Sequence, residues 1–222
     1  MKIHKLVYLL MPLALYLAFI WAPPAAILGE ASRILYFHVP VAFVSVIAFV
    51  TAGIESIIII IQKNKNSLLR EEKAYNATLT GLIFSVLTLV TGAIWANLNW
   101  GTYWNWDPRQ TSILILLLIY IAYFSLYSAL SDNENRGKIS SVYLILAMII
   151  MPVFVFIIPR VYDSLHPDTL INADKKMYLD PAMKITLFVS TAAFTLLYFY
   201  IYNIMNRISV IKIKIQEKHH AL

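Results

Sequence analysis

PVAFVSVIAFVTAGIESIIIII, the run Pro40–Ile61, holds twenty-two residues and a single charge, Glu55. At 1.5 Å of rise per residue a helix of that length covers about 33 Å, enough to cross a hydrocarbon core about 30 Å thick. Five further stretches share this character: Leu6–Ala26, Ala77–Ala96, Ser112–Leu130, Ile139–Ile158 and Ala182–Asn203. The composition of the whole chain agrees. Of 222 residues, 60% are apolar and 14% charged, against about 45–50% and 25% in soluble domains. With a mean hydropathy of +0.70, the chain carries more apolar surface than a soluble fold can hide. The expected fold is all-α: one polytopic membrane bundle of six transmembrane helices, a single domain over residues 1–222. The chain contains no cysteine, which excludes disulfides, iron–sulfur ligation and covalent c-type haem attachment to it.

Short polar links join the runs. Lys63–Asn76 and Ser131–Lys138 are charged and Asn-rich, Leu98–Thr111 is aromatic, and Pro159–Pro181 is the longest, with mixed charge. Lysine and arginine set the orientation. Twelve fall on one side: Lys2, Lys5, Lys63, Lys65, Arg70, Lys73, Arg136, Lys138, Arg207, Lys212, Lys214 and Lys218. Six fall on the other: Arg33, Arg109, Arg160, Lys175, Lys176 and Lys184. Both termini are therefore expected in the cytoplasm. The net charge of +6 then reads as headgroup-facing basic tails that meet membrane lipid, with no nucleic acid among the partners. The first run resembles a signal peptide in its basic start, but Trp21, Pro23 and Pro24 make a poor cleavage site, so it reads as an uncleaved anchor.

The residues an apolar bundle does not require lie on the outer side. Trp100-Gly-Thr-Tyr-Trp-Asn-Trp-Asp-Pro-Arg109 packs three of the five tryptophans into seven residues, with Tyr103 among them and Trp95 just before. An interfacial belt spreads its aromatics over many helix ends; this stretch gathers them in one link. A helical link would put Trp100, Tyr103 and Trp104 on one face by i, i+3, i+4 spacing, a shelf for a flat apolar ligand. Asp107, Pro108 and Gln110 form a helix-start signal for the fourth run. Arg109, a cation in a first helical turn, calls for a local anion, either Asp107 or a ligand carboxylate.

Two histidines lie on the same side: His38, two residues before Pro40 at the mouth of the second run, and His166 in the last outer link. His4, His219 and His220 fall at cytoplasmic ends. Each outer histidine taken singly reads as an ordinary hydrogen-bonding residue. Together, two imidazoles, an aromatic shelf and nearby cations suit haem, which needs axial nitrogens, apolar contact for its faces and cations for its propionates. Arg33, Arg109, Arg160, Lys175 and Lys176 are candidates for the last role.

Trp100-Gly-x-x-Trp104-x-Trp106-Asp107-x-Arg109 resembles the tryptophan-rich "WWD" motif of the haem-handling proteins of cytochrome c biogenesis. With six spans and flanking outer histidines, the chain resembles the cytochrome c maturation protein C family (haem exporter protein C) over most of its length. Tyr103 and Pro108 are closer to the synthetase branch of the same superfamily, whose members are longer and carry histidines inside the membrane; no run here contains one. The resemblance implies a non-enzymatic, multi-pass protein of the inner membrane. It would bind haem b at the periplasmic face on His38 and His166, beside a platform of Trp100, Trp104, Trp106 and Asp107. It would hand that haem to a periplasmic chaperone of the maturation protein E type, alongside the ABC-type maturation proteins A and B and the small maturation protein D. The residues themselves leave two other readings open: a transporter for another amphipathic solute, and a ligand-free scaffold of a membrane assembly complex.

Glu55 is the one acid inside a run. It reads as hydrogen-bonded to a neighbouring helix, with no intramembrane base facing it. Pro12, Pro40 and Pro152 are expected to kink or start helices.

Overall fold

The computed structural model describes residues 3–62, 67–166 and 179–220. Helix α1 (Ile3–Tyr16) runs on through a π turn, Leu17–Trp21. A 3₁₀ segment, Glu30–Ile34, feeds directly into α2 (Leu35–Ile61). Then come α3 (Ser67–Trp100), α4 (Pro108–Ala129) and α5 (Arg136–Pro152). Pro152 has no N–H to offer the regular ladder; there α5 gives way to a π turn, Val153–Ile157, that leads into the short α6 (Ile158–Val161). Last is α7 (Pro181–His220). Six segments are long and apolar enough to cross a membrane: Ile3–Trp21, Glu30–Ile61, Leu68–Trp100, Pro108–Ala129, Arg136–Val161 and Pro181–His219. The molecule is an all-helical six-span bundle, with no strand among the described residues.

α2 is the central helix and the most buried span, packed on α3, α5 and α7, while α1 lies against α7. Small side chains bring α2 and α3 together, as lipid-embedded helices require. A Cβ at Gly81 would stand 2.7 Å from Phe49 Cε1. The Phe49 ring in turn stacks on Tyr120 of α4, centroids 3.4 Å apart with planes 6° from parallel.

The helices overrun the hydrophobic runs that announce them. α3 starts at Ser67, so most of the expected Lys63–Asn76 link is helix, and α7 continues to His220, well past Asn203. Three charges in the α3 extension, Arg70, Glu71 and Glu72, have partners on other helices. Arg70 Nη1 donates to Glu55 Oε2 at 2.7 Å, Arg136 Nε to Glu71 Oε1 at 2.6 Å, and Ser209 Oγ to Glu72 Oε2 at 2.8 Å. Glu55 does bond a neighbouring helix, and it has the base that the sequence reading placed in a link. Lys2, Lys63 and Lys65 lie outside the described residues.

Candidate functional site

Three stretches meet at one end of the bundle: the last turns of α3, residues 101–107, and residues 162–166 after α6. α3 stops at Trp100 because Gly101 turns left-handed, with φ +79°. From there to Asp107 the chain is not helical. The common helical face expected for Trp100, Tyr103 and Trp104 is therefore not formed. Instead Gln110, buried, threads the loop: its Oε1 accepts the Asn105 N–H at 2.9 Å and its Nε2 donates to the Tyr103 carbonyl at 3.2 Å. Trp106 sits at φ +55°, a left-handed value that costs a residue with a Cβ about 1–2 kcal/mol. Its indole is 72% exposed and meets Trp104 edge to face, centroids 5.5 Å apart. Tyr103 is also exposed.

Asp107 caps α4 as its position foretold, Oδ1 accepting the Arg109 N–H at 2.9 Å with Pro108 in the first turn. Its other bonds reach much further along the chain. Oδ2 accepts the Ser164 hydroxyl and the Leu165 N–H, each at 2.8 Å, and Oδ1 lies 3.0 Å from His166 Nδ1. Burial pushes the Asp107 carboxyl up. Hydrogen bonds from Arg109 and Ser164, the neighbouring His166 and the Leu165 N–H outweigh it and hold the group below the ordinary range. Burial pushes the His166 imidazole down to about 4; Asp107 pulls it up and Arg109 adds to the depression. At neutral pH the ring is therefore uncharged. With a carboxylate facing Nδ1, the proton sits on that nitrogen and the Nε2 lone pair remains for another partner.

Two indoles brace the same ring. Trp95 stacks on His166 at 5.3 Å with planes 26° apart, and Trp100 meets it edge-on at 4.9 Å. The aromatic stretch thus splits in two: Trp100 joins Trp95 around His166, and Trp104 with Trp106 form an outer pair.

His38 is not in a link. The 3₁₀ turn Glu30–Ile34 starts the second span early, tied to the end of α1 by Arg33, whose Nη1 donates to the Ala18 carbonyl at 2.6 Å and the Ala22 carbonyl at 3.1 Å. Pro40 consequently stands inside α2, and so does His38, which corrects the expectation that no span holds a histidine. His38 Nδ1 lies 3.0 Å from Thr91 Oγ1 on α3. Thr91 and Trp95 are one helical turn apart, about 6 Å of rise, so both imidazoles pack on the same end of α3. The field of His166 reaches His38, and the charge of Arg109 reaches both.

The remaining cations fall differently. Arg33 is committed to α1 and to Glu30. Arg160 is exposed, with Nη1 donating to the Phe156 carbonyl at 2.8 Å. Lys175 and Lys176 lie outside the described residues. Sequence reasoning missed Thr91, Ser164 and the contact of Trp95 with His166. The available signal was the i, i+4 spacing of Thr91 and Trp95, which puts both on one face of α3. Among the described residues no three His, Cys, Asp or Glu side chains converge. Two imidazoles alone suit a metal whose other positions are already filled.

The chain matches the family model for Heme exporter protein C over residues 1–221. It is 29% identical over 180 residues to the Heme exporter protein C of Rhodobacter capsulatus, covering 81% of this chain and 73% of that protein. Against the Heme exporter protein C of Haemophilus influenzae it is 30% identical over 184 residues, 83% and 73% of the two chains. It is also 31% identical over 189 residues to a ccmC-like mitochondrial protein of Marchantia polymorpha, whose name ties it to cytochrome c biosynthesis; 84% of this chain and 77% of that one are covered.

Proposed function

The chain belongs to the haem exporter protein C family of cytochrome c biogenesis, and from that premise we propose that it binds haem b at the periplasmic face between His38 and His166 and passes it to a haem chaperone. It is a multi-pass protein of the cytoplasmic membrane, a reading supported by its six helical spans and its bacterial relatives. One observation carries the proposal. Two imidazoles pack on the same end of α3, each with Nδ1 held at 3.0 Å by the protein, by Thr91 and by Asp107. Metal-binding histidines are held in this way, with the second ring nitrogen left for the metal. Haem brings four nitrogens of its own, so two protein donors complete an octahedral iron.

The aromatic groups take separate parts. Trp95 and Trp100 steady the His166 ring, while the exposed Trp106 and Tyr103, with Trp104 beside them, border the macrocycle. Arg109, whose charge reaches both imidazoles, meets a propionate; Arg160 is a second candidate at the rim. Arg33 serves the helix junction. The two ligands differ in mounting. His38 is fixed within α2, and His166 rides on non-helical chain, so His166 is the ligand that swings away when a chaperone histidine takes the iron. The reaction is ligand exchange, with no enzymatic step. The chaperone is of the maturation protein E type, and the ABC-type maturation proteins A and B with the small maturation protein D are the membrane partners.

The test is the absorption spectrum of the protein purified from haem-replete cells. Wild type is expected to carry haem with a low-spin, bis-histidine spectrum. His38→Ala and His166→Ala each lose that signature, and the double variant loses most of the haem. An unchanged spectrum in the double variant overturns the proposal, and a colourless wild type that takes up no added haem favours the scaffold or other-solute readings.

A further inference from the structure

His166 has a carboxylate to fix its ring; His38 has the Thr91 hydroxyl, the neighbouring Thr88 carbonyl and a glycine, all on α3. The Thr91 hydroxyl lies 2.7 Å from the Leu87 carbonyl and 3.2 Å from the Thr88 carbonyl, so its one proton goes to the helix backbone. The Thr91 oxygen is then an acceptor toward His38 Nδ1, 3.0 Å away, and the imidazole proton belongs on Nδ1. One residue further on, α3 has no side chain: a Cβ at Gly92 would stand 3.0 Å from His38 Cε1, closer than packed carbons settle. The ring of His38 therefore rests against bare helix backbone, with its tautomer set by the preceding residue.

We propose that Thr91 and Gly92 are positioning residues for His38: the Thr91 hydroxyl fixes the proton on Nδ1, and the absent side chain at Gly92 lets the ring lie against α3 with Nε2 left unprotonated. The proposal rests on the axial reading of His38 above and adds what makes that nitrogen a ligand. A hydrogen bond accepted from Nδ1–H raises the donor strength of Nε2, so its loss weakens the iron–nitrogen bond and favours the reduced metal. Neither residue touches the iron. The opposite substitution at each position bears on a different property, tautomer at 91 and ring placement at 92.

Two measurements on the full chain in nanodiscs test this. The first needs no haem: nitrogen NMR of the ¹⁵N-histidine-labelled protein, with the His38 signals assigned by their absence in His38→Ala. Wild type and Thr91→Ser are expected to show Nδ1 protonated, and Thr91→Val a mixture of tautomers. The second is the reduction potential and spin state of bound haem. Thr91→Val is expected to raise the potential while Thr91→Ser restores it, and Gly92→Ala to convert low-spin haem towards high-spin or lose it. Nε2 protonated in wild type, or a Thr91→Val protein matching wild type in tautomer and potential, overturns the assignment of Thr91; a Gly92→Ala protein with wild-type haem overturns that of Gly92. If His38→Ala leaves the haem spectrum unchanged, the axial reading falls and takes the haem arm with it, while the tautomer result still decides whether Thr91 fixes the ring.

Discussion

Asp107 holds two jobs on one carboxylate, and they separate on substitution. Asparagine keeps an acceptor for the Arg109 N–H, so Asp107→Asn should leave α4 intact by circular dichroism. It removes the charge that faces His166 Nδ1, and the amount of haem purified with the protein should fall several-fold. The same pair makes an acid-sensitive latch. The His166 pKa is depressed from 6.5 to about 4, so its docking is fully favourable above about pH 6.5 and is lost as pH falls through that window, a difference of about 3 kcal/mol. Asp107, also depressed, adds stability above its ordinary carboxyl range and gives it up only in stronger acid. Tryptophan fluorescence of the apo protein should therefore change between pH 6.5 and 4 as His166 leaves Trp95 and Trp100, and His166→Asn should flatten that profile. The cap was legible in Asp107-Pro108; the latch was not, because Ser164 and His166 lie 57 and 59 residues further on and nothing local records that meeting.

The helices were legible wherever hydrophobicity alone decided them, and their ends were misread where ion pairing did. Residues 67–76 of α3 look like a charged link until Glu55, Arg136 and Ser209 are placed beside Arg70, Glu71 and Glu72; a hydropathy window sees the charges and not their partners. His38 was misplaced for a related reason. Pro40 looked like a helix start, whereas Arg33 on the Ala18 and Ala22 carbonyls begins the helix earlier and puts the histidine inside it. The Arg70–Glu55 pair, at 2.7 Å with the carboxylate side chain 14% exposed, lies between the values of surface and buried bridges. Arg70→Met should cost about 1–3 kcal/mol, leaving a carboxylate without its base, and should lower the unfolding temperature in detergent. The double change with Glu55→Gln should recover part of the loss. Haem content should stay at the wild-type level in both, since Arg70 stands about 31 Å along α3 from Thr91.

For the molecule as a whole the open quantity is direction. The bundle puts His38, His166 and the tryptophan loop at one end and the ion pairs of α2, α3 and α5 at the other, and an exporter must turn the first of these away from the cytosol. Lysine and arginine argue for that orientation, twelve against six, an argument that needs only the order of spans and links. A chain with no cysteine lets the orientation be read one residue at a time. Tyr103, 61% exposed in the tryptophan loop, and Ser131, exposed beyond the far end of α4, report the two faces. A membrane-impermeant maleimide is expected to label Tyr103→Cys in intact spheroplasts and Ser131→Cys only after the membrane is permeabilised. The reverse pattern would put both imidazoles in the cytosol, where haem is made rather than delivered, and the protein would then take haem in at that end instead of handing it on. Equal labelling of both from outside would mean an odd number of crossings between residues 103 and 131 is wrong, and with it the single helix α4 that separates the loop from the charged end.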